Sequence, residues 1–143
     1  MTALRRKPAR PRLSLDESLI ALFIAAMEAN GHTSPRELER AHHLIWSMRR
    51  FRGRDGDEVN AIIEEMRSLL ETSDVDEVID KAIASIPARF APSAFSVLVD
   101  LLFADGRLDP EELVFLRRVG RQLGIPAPTQ RRIVEVILVK NRL

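Results

Sequence analysis

The sequence predicts an all-α protein of about seven helices in a compact bundle, and three observations lead to this fold class. Apolar residues recur at helical spacing in every long segment. Helix-capping signals stand where those segments begin. An internal repeat at a constant offset of 75 residues relates the two ends of the chain. Together they predict two pseudo-repeated three-helix halves, residues 15–72 and 91–143, joined by a bridging helix.

The repeat is clearest in two ten-residue segments, 29–38 and 104–113, in which Ala, Gly, Pro, Glu and Leu coincide at five of the ten places. The same offset, without a gap, pairs flanking apolar residues: Phe23 with Leu98, Met27 with Leu102, Val59 with Val134, Ile62 with Ile137 and Ile63 with Leu138. A chance match of ten residues would not be expected to bring this register with it. The sequence therefore predicts a duplication.

Each of the first six helices is predicted from its apolar stripe. The stripes are Ile20, Phe23, Ile24, Met27; Leu38, Ala41, Ile45, Met48; Val59, Ile62, Ile63, Met66, Leu70; Val75, Val78, Ile79, Ala82, Ile83, Ile86; Phe95, Leu98, Val99, Leu102; and Leu113, Leu116, Val119, Leu123. The fourth has no repeat partner and is the predicted bridge. Residues 133–139 are rich in β-branched side chains, but a lone strand would leave its backbone unpaired, so a seventh helix is expected.

Start and stop signals agree with this layout. Four pairs have capping-box spacing: Ser14 with Glu17, Ser34 with Glu37, Asp74 with Glu77, and Asp109 with Glu112. Pro35 and Pro110 stand at predicted first helical positions. Gly31 and Gly106 stand where a helix is expected to stop in a left-handed residue.

Composition limits the classes of protein that are possible. The 143 residues include no cysteine, which excludes disulfides, thiolate zinc sites and cysteine nucleophiles and suits a reducing cytoplasm. No segment reaches the ~20 apolar residues that a membrane span requires. We therefore expect a cytoplasmic protein without a membrane span.

The net charge of +1 conceals an asymmetry. Residues 1–12 carry five basic side chains and no acid, whereas the remainder has 17 bases and 21 acids. We expect residues 1–13 to form a basic flexible tail ahead of a single domain at 14–143. The alternative is an electrostatic arm for nucleic acid or anionic lipid.

Acidic residues concentrate in the turn between the fifth and sixth helices. The turn follows the back half of an EF-hand loop, but Leu101 and Phe103 occupy the first and third ligand positions, which excludes a standard calcium loop. A weaker site for a hard divalent cation, Ca²⁺ or Mg²⁺, is predicted from Asp105, Asp109 and Glu112 with added waters.

Helix capping offers another interpretation of the same turn. Gly106 would end one helix, and Asp109, Pro110 and Glu112 would start the next without any ligand. Asp105 is the residue that capping leaves unexplained.

The acidic turn also resembles a known family. The pattern Ala104-Asp105-Gly106-x-Leu108-Asp109-x-x-Glu112, after an apolar helix and before Leu116…Leu123-Gly124-Ile125, is similar to the TerB-like (tellurite-resistance TerB) family over about residues 15–143. The resemblance implies a helical domain with metal-binding acidic residues, a role in stress response including tellurite resistance, attachment in some members to co-chaperone-like domains, and no catalysis. At the first copy Asn30 and Ser34 depart from the acidic pattern and Glu37 alone is retained.

The rival hypotheses are a structural protein–protein interaction module and a nucleic-acid-binding protein. A helix-turn-helix can be aligned with residues 117–133, with phosphate contacts from Arg117, Arg118, Arg121, Arg131 and Arg132. Against it stand Gln130 at a normally apolar position, the stiff turn at Pro126 and Pro128, and the charge of Glu135. The other interpretation is an ordinary helical hairpin with solvated arginines.

No catalytic motif is present: there is no glycine-rich phosphate loop, nucleophile elbow or HExxH. We therefore expect a binding module, not an enzyme, and a protein partner whose identity the sequence does not reveal. Asp100 is expected on a solvated polar stripe with Ser93 and Ser96. His42 and His43 are expected at the surface, since adjacent residues on a helix cannot chelate one ion together.

Overall fold

A computed structural model of the chain describes residues 12–29, 35–103 and 108–142, except the side chains of residues 36–38. These residues form seven α-helices, one 3₁₀ turn and no strand: α1 (Leu15–Glu28), α2 (Pro35–Ser47), α3 (Gly56–Thr72), α4 (Val75–Ala84), the 3₁₀ turn (Ala88–Phe90), α5 (Ala91–Leu102), α6 (Pro110–Gln122) and α7 (Ala127–Lys140). The predicted all-α fold class is confirmed, and the β-branched residues at 133–139 are helical.

Helix α1 lies at the centre of the domain. All nine of its residues from Ser18 to Ala26 are buried, and α1 packs against α2, α3, α4 and α5. The predicted single apolar stripe was therefore too narrow, because a helix surrounded by neighbours buries its whole circumference. Ser18, the one polar side chain in this stretch, donates a hydrogen bond to the Ser14 carbonyl at 2.7 Å, so burial leaves no unpaired hydroxyl.

Helix α5 is the second central element. It contacts α1, α2, α6 and α7, and α4 contacts both α1 and α6. Helices α2 and α6 begin 75 residues apart, which is the predicted offset, whereas α3 and α7 begin 71 residues apart. The duplication as a whole stays a prediction.

The start of α1 is tied to the loop between α2 and α3. Phe51 in this loop is fully buried, and the Arg50 and Arg54 side chains both donate to the Asp16 carboxylate in the first turn of α1. Burial raises the pKa of Asp16, but the two arginines lower it further, so that the pKa lies below its usual 3.8. Leu13 is also buried, one residue ahead of the expected domain start.

Ser14 and Asp74 cap the helices that they were predicted to start, and at Ser14 the full capping box is formed. Ser14 and Glu17 form a capping box at α1, with the Glu17 N–H donating to Ser14 Oγ at 3.1 Å. Asp74 caps α4 by accepting from the backbone N–H groups of residues 76 and 77. Proline is the first residue of α2 and of α6, as expected. Ser34, Gly31 and Gly106 lie outside the described residues.

In the described ranges, no single helix is long and apolar enough to cross a membrane. Helix α4 taken together with the segment Ala88–Leu102 reaches the required length and apolarity, but the two pieces meet at an angle of 103°.

The turn from α6 to α7 depends on two glycines. Gly124 has a φ of +73° and ends α6 in the left-handed conformation, with the Ile125 N–H donating to the Gly120 carbonyl at 3.1 Å. Gly120 lies against Gln130 of α7, whose Nε2 donates to the Ile125 carbonyl at 2.8 Å. Gln130, a polar residue at a position that is normally apolar in a helix-turn-helix, here closes the turn by this hydrogen bond.

We expect Gly120→Ala to destabilise the fold. A Cβ atom at this position would stand 2.5 Å from Gln130 Oε1, so Gln130 must move and lose its bond to Ile125. The amide end of Gln130 can rotate away, so the main cost is the Ile125 carbonyl left without this partner, about 1–3 kcal/mol, against the ~1 kcal/mol gained in helix propensity. Denaturant unfolding should show a net loss of about 1 kcal/mol.

Gly56→Ala is the matched control, because its Cβ would make only an ordinary 3.8 Å contact with Trp46. Unfolding free energies of Gly120→Ala equal to or above those of the natural protein would contradict the prediction.

Candidate functional site

Two of the three predicted metal ligands lie in the described part of the chain, at the start of α6. Asp109 is the N-cap residue and is exposed, whereas Glu112 is the third helical residue and is buried. They form the predicted capping box, in which Glu112 Oε1 accepts from the Asp109 N–H at 3.3 Å. Asp105 lies outside the described residues. The structure thus brings Asp109 and Glu112 together as one helix cap.

The positive end of α6 and a bound cation would compete for the carboxylates of Asp109 and Glu112. The positive end of α6 already favours negative side chains in its first turn, by about 0.3–1 kcal/mol per charge. Carboxylate oxygens are also the ligands that hard divalent cations prefer. Among the residues described, no group of three or more side chains is arranged to hold a metal ion. A cation would therefore need oxygen atoms from Asp105 and from water as well as from Asp109 and Glu112.

A second acidic residue has a role that the sequence did not reveal. Asp100 on α5 is buried, and the prediction of a solvated stripe is wrong at this position because α7 packs against this side of α5. Its carboxylate accepts from Lys140 Nζ at 2.8 Å, from Asn141 Nδ2 at 3.1 Å and from Arg40 at 3.4 Å. The partners stand 40 or more residues away in the chain, so local spacing carries no signal for them.

These contacts join three helices around one negative charge. Burial raises the pKa of Asp100, but the hydrogen bonds from Lys140 and Asn141 and the charges of Lys140 and Arg40 lower it more, so that the pKa lies below its usual 3.8. The group is an anchor that holds the end of α7 and the middle of α2 against α5.

The arginines of the predicted helix-turn-helix divide into two groups. Arg118 donates to the Asp76 carboxylate at 2.6 Å and to that of Asp80 at 2.8 Å, so it ties α6 to α4 and is not available for phosphate contacts. The remaining four are exposed and have no ion pair with any residue that the structure describes: Arg117, Arg121, Arg131 and Arg132.

The two histidines and the tryptophan of α2 differ in burial. His42 and His43 are exposed, as expected for surface residues. Trp46 is partly buried and packs against the core.

Comparison with known proteins identifies the family. The family model described as "Tellurite resistance protein TerB" matches residues 16–134. The chain belongs to the TerB family. The resemblance seen in the acidic turn and its flanking helices is thereby confirmed, and the match extends from the first turn of α1 into α7.

One solved structure shares this TerB-family chain's fold. It is PG1108 from Porphyromonas gingivalis W83, a protein of unknown function, with a TM-score of 0.60 and 19% identity over 96% of this chain and 98% of that one. At this identity the likeness concerns the fold alone. No match is found among curated proteins.

We expect Asp100→Asn to lower the free energy of unfolding by about 1–3 kcal/mol near neutral pH, because it removes the charge that Lys140 and Arg40 surround. The pKa of Asp100 is lowered in the folded state, so its contribution is present above the usual 3.8 and is lost as the pH falls through the folded pKa. The difference between the variant and the natural protein should therefore shrink in acid.

Urea unfolding at several pH values between about 2 and 7 measures this difference. Asp57→Asn, at an exposed position in the first turn of α3, is the control for general charge effects. A stability difference that stayed constant with pH would show that the carboxylate charge of Asp100 is not what anchors α7.

Proposed function

We propose that this TerB-family chain is a noncatalytic binding module of the stress-response, tellurite-resistance type, and that it takes up a divalent cation, Ca²⁺ or Mg²⁺, at the turn between α5 and α6. The observation that carries the proposal is the capping box, which brings the carboxylates of Asp109 and Glu112 to one helix start. Asp105 precedes Asp109 by four residues and supplies the third carboxylate of the proposed site.

The chemistry of the turn suits a weakly held, partly hydrated ion. Asp109 is exposed, so a cation can reach its carboxylate without losing its whole water shell. The start of α6 carries a partial positive charge that opposes the ion. We therefore expect a dissociation constant on the order of 10⁻⁴–10⁻³ M, in the range of weak oxygen sites.

A role without catalysis is supported by where the perturbed acidic groups lie. Asp16, Asp80 and Asp100 have lowered pKa values, and in each case basic side chains from other parts of the chain bind the carboxylate. A catalytic acid or base instead needs a perturbed pKa in a cleft that substrate can reach. In the described residues these groups serve to connect helices.

A cytoplasmic location is part of the proposal. It is supported by the absence of cysteine from the 143 residues, which suits a reducing compartment.

Metal binding can be tested without disturbing the helix cap. Asn is as good an N-cap residue as Asp, and Gln can replace Glu in a capping box, so Asp109→Asn and Glu112→Gln remove charge but keep the α6 start. Calorimetric titration with Ca²⁺ and Mg²⁺ should show binding to the natural protein and at least about tenfold weaker binding to Asp105→Asn, Asp109→Asn and Glu112→Gln.

Glu111→Gln is the matched control, because Glu111 is an exposed acid in the same helical turn that is not among the proposed ligands. Absence of heat and of thermal stabilisation at about 10 mM metal would overturn the proposed cation site. So would equal losses in the Glu111→Gln control, which would indicate a diffuse effect of negative charge.

A further inference from the structure

Helix α7 is more apolar than its packing requires. Seven of its fourteen residues are apolar, yet none is fully buried. One side, with Ile133, Val134 and Ile137, packs against the core. Val136 and Val139 lie on another side and are 64% and 57% exposed. Because they are three residues apart, they form one apolar strip along the helix.

An open groove of about 220 Å³ runs beside this strip, between α5 and α7. It is lined by Ser96 of α5 and by Arg132, Ile133, Val136 and Ile137 of α7. Arg132 precedes Val136 by four residues, so a guanidinium group stands at the end of the apolar strip. We call the groove together with Val136 and Val139 the α7 groove.

The α7 groove lies in a strongly basic part of the chain. Residues 113–142 contain seven basic side chains and one acidic one, Glu135. Two of the seven, Arg118 and Lys140, are paired with carboxylates of α4 and α5. Arg131 and Arg132 stand at one end of the strip, and Lys140 and Arg142 at the other. Lys140 binds Asp100 but remains 58% exposed. Arg132 and Lys140 are eight residues apart, which is ~12 Å along the helix axis.

We propose that the α7 groove is the docking site for an amphipathic helix of a partner protein whose polar side is acidic. Apolar side chains one turn apart on the partner would cover Val136 and Val139. Carboxylates two turns apart would reach Arg132 and Lys140, since two helical turns span ~11 Å. Binding of a helix in a groove combines apolar anchors with flanking charge, and both are present here.

The apolar strip argues against nucleic acid as the occupant. Phosphate groups are bound by cationic and polar donors, and Val136 and Val139 offer none. A second copy of the chain also fits poorly. Antiparallel pairing of two α7 helices about Val136 would place Arg132 against Lys140 of the other copy, and parallel pairing would place each charge against itself. The charges therefore favour a partner of opposite sign.

The test uses a fluorescently labelled synthetic helix with leucines on one face and glutamates flanking them, and a second peptide with glutamine in place of each glutamate. Fluorescence anisotropy in EDTA keeps the result independent of the proposed cation site. We expect the glutamate peptide to bind the full chain in the micromolar range. The glutamine peptide should bind at least about tenfold more weakly.

Variants locate the binding surface. Val136→Gln with Val139→Gln, and separately Arg132→Gln, should each weaken the glutamate peptide by about tenfold or more. Val75→Gln is the control, because Val75 is a comparably exposed valine on α4. Since the substituted residues are exposed, the melting temperature should stay within a few degrees of that of the natural protein.

Each alternative has its own outcome. No binding of the glutamate peptide at about 1 mM, or unchanged binding by the Val136→Gln, Val139→Gln variant, overturns the proposal. A 20-base-pair DNA duplex that binds more tightly than the peptide and is sensitive to Arg132→Gln but not to the valine substitutions would make this a nucleic-acid surface. A concentration-dependent dimer that the valine substitutions abolish would make it an interface between copies.

Discussion

The structure depends most on the burial of the middle of α1. Nine consecutive residues of this helix are withdrawn from water, so neighbours must pack against it on every side. Helices α2, α3, α4 and α5 do so, and they come from both sides of the chain's midpoint. The order of the helices in space therefore follows from one apolar segment near the beginning of the domain, and α6 and α7 are added around α5.

Ion pairs at the edges of the apolar core add further contacts between its helices. Among the residues that the structure describes, three carboxylate–cation networks lie at the edges of the core, and each joins elements that are distant in sequence. Asp16 holds the α2–α3 loop, Asp100 holds α2 and α7, and Arg118 holds α6 to α4. Such contacts define the geometry of the fold more than they raise its stability. Solvent weakens an exposed ion pair, and a buried ion pair loses the hydration of both charges. These contacts also remove Arg118 from the set of cations that a ligand could use.

The two proposed binding surfaces differ in the side chains that they offer. The α5–α6 turn offers carboxylates that already serve as a helix cap, so a cation there would use groups whose position is set without it. The α7 groove offers exposed valines and the Arg132 guanidinium, which has no ion pair with any residue that the structure describes. Exposed apolar side chains beside such a charge are typical of binding surfaces.

Local signals in the sequence were sufficient for the fold class, the number of helices and the caps at Ser14, Asp74 and Asp109, because capping and helical periodicity are properties of neighbouring residues. They were also sufficient for the family. The burial of Asp100, the pairing of Arg118 and the exposure of Val136 were decided by which helices pack together. A stripe of serines and an aspartate has the same appearance in sequence whether water or another helix covers it, and partners about 40 residues away leave no trace in local spacing.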